Sequence, residues 1–179
     1  MTKQKLILSF IQNHQETIDY INDLDEQQFV YRYNNKWAAG QHLKHILLTI
    51  IPFPKALASK ELILKKFGTI NRSVWNYETV LENYFKTSLK APEQFLPDDE
   101  VTQVQKSKII SDIETELEKI KEALAGYSEE EFDTLTLPHP LLGQLTIREM
   151  FYLMAYHPLH HQKQIESAIA EYKKHLKRK

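Results

Sequence analysis

Cysteine is absent from this chain of 179 residues. That excludes disulfides, thiolate-ligated zinc and a thiol nucleophile supplied by the protein itself. A site for a transition metal must therefore use imidazole, carboxylate and water. No run of about 18 apolar residues is present, so no segment reads as a membrane-spanning helix. Net charge is also scarce, at -1, and gives no reason to expect nucleic acid. The only basic run, Lys173 to Lys179, reads as a solvated helix end rather than a polyanion contact. The opening Met-Thr-Lys-Gln-Lys leads into an amphipathic segment instead of a signal-type apolar run, so a cytoplasmic protein is the expectation.

What is present suits one domain over residues 1–179, with 42% apolar and 26% charged residues, the balance of a folded globular chain. Leu6, Ile7, Phe10, Ile11, Ile18 and Ile21 repeat at helical spacing and predict an amphipathic helix over 4–22. His14 falls in its middle and reads as a surface or partly buried residue without chemistry. Asp25 followed by Gln28 resembles a capping box opening a short helical turn. Asn34-Asn35 marks a loop. A second helix begins after Trp37, with Leu43, Ile46, Leu47 and Ile50 on its main stripe, and Pro52 and Pro54 end or kink it. His42 and His45 lie beside that stripe, and periodicity alone does not say which points inward. Residues 55–66 continue as helix.

From Phe67 to about Glu100 runs a long excursion rich in aromatics, with a helical stretch near 77–86; connections of this length are functional or cover a site, and aromatics that merely roof the core are the competing reading. Residues 101–125 form a third helix, with Val104, Ile109, Ile113, Leu117, Ile120 and Leu124 stepping along one side and Gly126 stopping it. Ser128-Glu129-Glu130-Glu131-Phe132 then echoes Asp25-Glu26-Gln27-Gln28-Phe29. Helix, short turn and helix thus occur twice, which predicts two helical hairpins in a four-helix bundle. Leu137 to Gly143 is a turn-rich linker. Thr146 with Glu149 forms a capping box for the last helix.

That helix carries Ile147, Met150, Phe151, Met154, His157, His161, Ile165 and Ala168 on its inward stripe. Two successive stripe positions held by histidine are costly unless a partner satisfies them. Four residues apart on a helix, the two imidazoles share a face, separated by roughly 40° and ~6 Å of rise. A metal ion is the partner that suits them; structural hydrogen bonding is the competing reading. Pro158 removes one backbone hydrogen bond and should bend the helix at Met154.

The combination Trp37-x3-Gln41-x3-His45, Pro138-His139-Pro140-x2-Gly143-x2-Thr146-x-Arg148-Glu149 and His157-x3-His161-x2-Gln164-Ile165 resembles the DinB-like superfamily, which includes bacillithiol transferases and mycothiol-dependent maleylpyruvate isomerases. The resemblance implies an all-α four-helix bundle with long crossover connections, often a homodimer. It also implies one divalent metal held by His45, His157 and His161, with His160 turned away.

Zinc or nickel suits three imidazoles best. Such an ion supports two chemistries on a small-molecule substrate, namely thiol transfer with a low-molecular-weight thiol as co-substrate, and hydrolysis. No clear general base is evident: Glu149 and Glu166 lie off the histidine face, and Tyr156, His160 and Gln164 are outer-shell candidates only. A metal-binding stress-response bundle without turnover, and a plain bundle with satisfied core histidines, are the other readings.

Overall fold

The computed structural model describes residues 1–88 and 90–177; Arg178 and Lys179, the end of the basic run, lie outside the described residues. Four helices make the bundle: α1 (Lys3–Asn22), α3 (Ala39–Ile50), α7 (Gln103–Ala125) and α9 (Ile147–Lys177). Short helices join them: α2 (Glu26–Val30), α4 (Pro52–Ala56), α5 (Lys60–Phe67), α6 (Tyr77–Phe85) and α8 (Glu129–Thr134). Helix α1 lies along α9 and α3 along α7. The core they enclose is built on Phe10, Phe29, Phe132 and Phe151, all fully buried, each side chain contributing roughly 1.5–3 kcal/mol by its removal from water.

Start signals read from the sequence operate as capping boxes. The Asp25 carboxylate accepts from Gln28 N at 2.8 Å, and the Ser128 hydroxyl from Glu131 N at 3.1 Å. Thr146 and Glu149 exchange side-chain and backbone hydrogen bonds at 2.9 and 3.1 Å ahead of α9. Asn34 and Asn35 adopt positive φ of 50° and 58°, the left-handed region asparagine tolerates best after glycine.

Several local expectations need correction. The helix over 55–66 is broken: α4 ends at Ala56 and α5 restarts at Lys60, because the Ser59 hydroxyl accepts from Leu62 N and caps a new helix. Val104 is 91% exposed and stands off the stripe of α7. The buried position belongs to Lys106, whose ammonium donates to the carbonyls of Asn22 (2.6 Å) and Leu24 (2.8 Å). It thereby satisfies acceptors left open where α1 ends. Gly126 closes α7 with φ of -72°, so no left-handed cap is used there. Ala168 is half-buried and Ile169 takes its inward place.

The linker after α8 is a β-hairpin. Strands β1 (Thr136–His139) and β2 (Gly143–Thr146) pair antiparallel, with His139 opposite Gly143. Leu137 and Leu145 are its buried pair, and Gly143 supplies a φ of 71° at the turn. Gly40 is required elsewhere: a Cβ there would lie 2.7 Å from the Phe29 ring, so α2 can close onto α3 only over a glycine.

The 67–100 excursion is fastened at three places. Ile70 N donates to Thr134 O at 2.9 Å. Arg72 holds Glu149 through two 2.8 Å hydrogen bonds, and Trp75 N donates to the same carboxylate at 2.6 Å. Gln41 donates from its amide to the carbonyls of Asp98 and Asp99. These ties fasten the excursion to the start of α9 at Glu149 and to the start of α3 at Gln41, two points on opposite sides of the paired histidines. No helix among the described residues is long and apolar enough to cross a membrane.

Candidate metal centre

Helix α9 presents His157 and His161 from one face, and α3, packed against it, presents His45. The Nε2 atom of His157 lies 3.2 Å from that of His45 and 3.0 Å from that of His161. One ligating nitrogen from each ring falls within 4.8 Å of the others, and all three residues are buried. Three imidazole nitrogens about one ion, at metal–nitrogen distances near 2.0–2.1 Å, stand roughly 3.3 Å apart in a tetrahedral shell. The donor set fits. A proton on His157 Nε2 can satisfy only one of its two neighbours, whereas a cation satisfies all three lone pairs.

The protonation state fits as well. Burial pushes His157 and His161 well below the ordinary imidazole range, and neighbouring histidines add to the shift. Burial also lowers His45, partly offset by its hydrogen bond to Phe95. The rings are therefore neutral at pH 7, the form that binds a metal.

The opposite edges of the rings are oriented by the fold. His45 Nδ1 donates to the Phe95 carbonyl at 2.6 Å, which fixes the tautomer with a free Nε2 lone pair. His161 Nδ1 pairs with His42 Nδ1 at 2.9 Å. His42 thus stands behind a ligand, its own pKa pushed down to about 3 by burial first and by His45 next. Trp37 lies over the cluster, its ring stacked at 25° on His161 and 5.0 Å from His45 between centroids.

His160 belongs to a different contact, with its Nε2 2.7 Å from the Gln164 amide nitrogen. Gln164 therefore orients His160 and not one of the clustered rings, and Tyr156 packs against His160 as well. Glu149 is fully buried in its ion pair with Arg72, and Glu166 accepts from Gln162 on the surface. Helix α9 runs on through Pro158, and Asn13 donates to the carbonyl of Ala155 at 2.8 Å in the turn that the proline disturbs. Sequence reading missed the Phe95 carbonyl, which no side-chain pattern signals. It also misplaced His14, which is wholly buried; its spacing four residues after Phe10 was the available signal.

The cluster opens onto a cavity of about 910 Å³. Phe53, Phe67, Met150, Leu153 and Met154 form part of its apolar wall, and Phe95 and Leu96 of the excursion close over it. Of the excursion's aromatics, Phe67, Tyr84 and Phe95 line the cavity, while Trp75 and Tyr77 pack against the core.

Residues 9–165 match the family model described as the DinB superfamily. No curated protein and no solved structure matches the chain.

Proposed function

The chain belongs to the DinB superfamily, and on that premise we propose that it is a metal-dependent enzyme acting on a small molecule, with thiol S-transfer as its reaction. The observation that carries this is the convergence of three buried Nε2 atoms at the floor of the 910 Å³ cavity. A storage or purely structural site is closed by its ligands, whereas a catalytic site keeps a position open beside a pocket.

In this proposal His45, His157 and His161 hold one divalent ion, zinc or nickel by ligand type. When bound, such an ion acts as a Lewis acid that lowers the pKa of a coordinated thiol or water. The chain's own residues do the rest. The Phe95 carbonyl and His42 fix ring orientation. Trp37 covers the imidazoles, and the apolar wall excludes water and holds the substrate body. Hydrolysis is the second reading, and one feature separates the two. Hydrolysis calls for a positioned base to move protons; among the described residues lining the cavity there is no Asp or Glu, and the histidines outside the cluster, His42, His139 and His160, are held below the usual imidazole range by burial, which makes them weak bases. Thiol transfer needs only an ionised thiol, which the cysteine-free chain takes from a small-molecule co-substrate. Assembly as a homodimer and a cytoplasmic location complete the proposal.

The test is a paired screen of the zinc- and nickel-loaded protein. Loss of free thiol is followed for a low-molecular-weight thiol with an aromatic electrophile such as 1-chloro-2,4-dinitrobenzene, alongside hydrolysis of nitrophenyl esters. Thiol consumption that requires the metal and disappears in His157→Ala supports S-transfer. Ester turnover without thiol consumption favours hydrolysis, and neither activity at full metal occupancy contradicts the enzyme reading.

A further inference from the structure

A chain with 24 acidic and 23 basic residues has ample carboxylates, yet among the described residues none lines the cavity. Its described lining holds six histidines and two lysines, Lys36 and Lys90, with no aspartate or glutamate. The ionisable groups acting on His157 and His161 are likewise all histidines. Three neutral imidazoles leave the charge of a divalent ion uncompensated, and in an apolar cavity an uncompensated charge is expensive. The described lining supplies no carboxylate as counter-charge, so an anionic ligand gains there what a neutral one does not.

His139 gives this an address. Its Nδ1 accepts from Leu141 N and Leu142 N, both at 3.2 Å, within the hairpin turn. Burial holds its pKa down to about 4, so the ring is neutral near pH 7 and its single proton sits on Nε2. Among the described residues no protein group accepts that N–H. His139 lines the same cavity as the metal cluster and is near enough for its charge to act on His157. It is a donor with a fixed tautomer, aimed by the backbone. A carboxylate or other oxyanion is what such a donor, beside a cation, is arranged to meet.

We propose that the cavity binds an amphipathic monoanion, a small molecule with an anionic head near the metal cluster and His139 Nε2–H and an apolar body against Phe53, Phe67 and Leu153. This rests on the enzyme reading above only for the ion's contribution; the acid-free lining, the two lysines and His139 favour the same ligand without it.

The probes are decanoate, decan-1-ol and decyltrimethylammonium, which share an apolar body and differ in head charge. Each is titrated calorimetrically into the metal-loaded protein, the chelator-treated protein and His139→Asn. In that variant the asparagine oxygen keeps an acceptor for the turn but withdraws the far N–H; circular dichroism and thermal unfolding verify that it folds. The expected order is decanoate first by about ten-fold or more over the alcohol, with the cation weakest, and the same order in weaker form after chelation. His139→Asn loses about ten-fold for decanoate and nothing for the alcohol, a difference of ~1.4 kcal/mol. Equal binding of the three probes, tighter binding of the cation, or no binding at all overturns the proposal. Unchanged decanoate affinity in His139→Asn overturns the part given to His139. The two readings fail separately. Absence of metal with the probe order intact sinks the metal site alone, and a full metal complement with indifferent probes sinks the anion pocket alone.

Discussion

His14 Nε2 and His157 Nδ1 are buried nitrogens without a hydrogen-bond partner among the described residues, on helices packed against one another. Asn13 and Thr17 of α1 bond to Ala155 and Gln162 of α9, so the register brackets both histidines, and charge on His14 acts on His157. Their polarities are complementary. His14 Nδ1 donates to the Phe10 carbonyl at 2.7 Å, leaving Nε2 as an acceptor. With Nε2 of His157 directed to a metal, its Nδ1 carries the proton.

The expected consequence is that His14 steadies His157 across the helix interface, directly or through one trapped water. His14→Leu should weaken zinc binding by about 10- to 100-fold, the usual effect of losing an outer partner of a ligating histidine. His14→Gln places an acceptor at similar reach and should restore most of it. Competition against a chromogenic chelator measures both. Equal losses in the two variants, tracking their thermal stability, would mean that His14 only fills space.

Glu149 is held by Arg72, Trp75 N and Thr146 N, which ties the long excursion to the start of α9. Glu149→Ala leaves Arg72 without its partner in a half-buried position, and loss of such a pair by removing one member costs about 3–5 kcal/mol. Urea denaturation should show that loss. Metal affinity should fall much less, since Glu149 touches none of the three clustered histidines.

The metal-free protein should lose stability in mild acid. Burial lowers His14 from 6.5 to about 4, His42 to about 3 and His139 to about 4. Unfolding restores ordinary values, so between about pH 6.5 and 4 the unfolded chain binds more protons than the folded one. Stability is complete above about pH 6.5 and declines as pH falls through that window. His14 alone is worth roughly 2 kcal/mol by pH 5. His14→Leu should flatten the decline measured by denaturant titration from pH 7 to 5, and an unchanged slope would contradict the assignment.

The bundle was legible because its start signals and stripes are local. Thr146 with Glu149, and Ser128 with Glu131, cap their helices in the way their spacing predicts. The stripe from Ile147 to Ile165 gave the buried face of α9. Tertiary context decided the rest. Val104 looked like a core residue, but α7 turns Lys106 inward, because carbonyls at the end of α1 need a donor and a long side chain can bring one. The hairpin at 136–146 was hidden by Pro138 and Pro140, which signalled turns more strongly than Leu137 and Leu145 signalled alternation. His42 and His45 were indistinguishable by periodicity because both are buried. Their roles differ only in what stands opposite: His157 Nε2 for His45, His161 Nδ1 for His42.

Metal content decides the central claim most directly. Protein purified without added metal or a histidine tag, beside a His45→Ala/His157→Ala/His161→Ala variant of the same chain, goes to elemental analysis. About one divalent ion per chain in the native protein, absent from a variant that still folds, is the expected result for one tetrahedral-type site. A native protein free of metal and unable to take up zinc or nickel, or a variant that retains the native amount, would contradict the site. The clustered histidines would then be structural members of the bundle core.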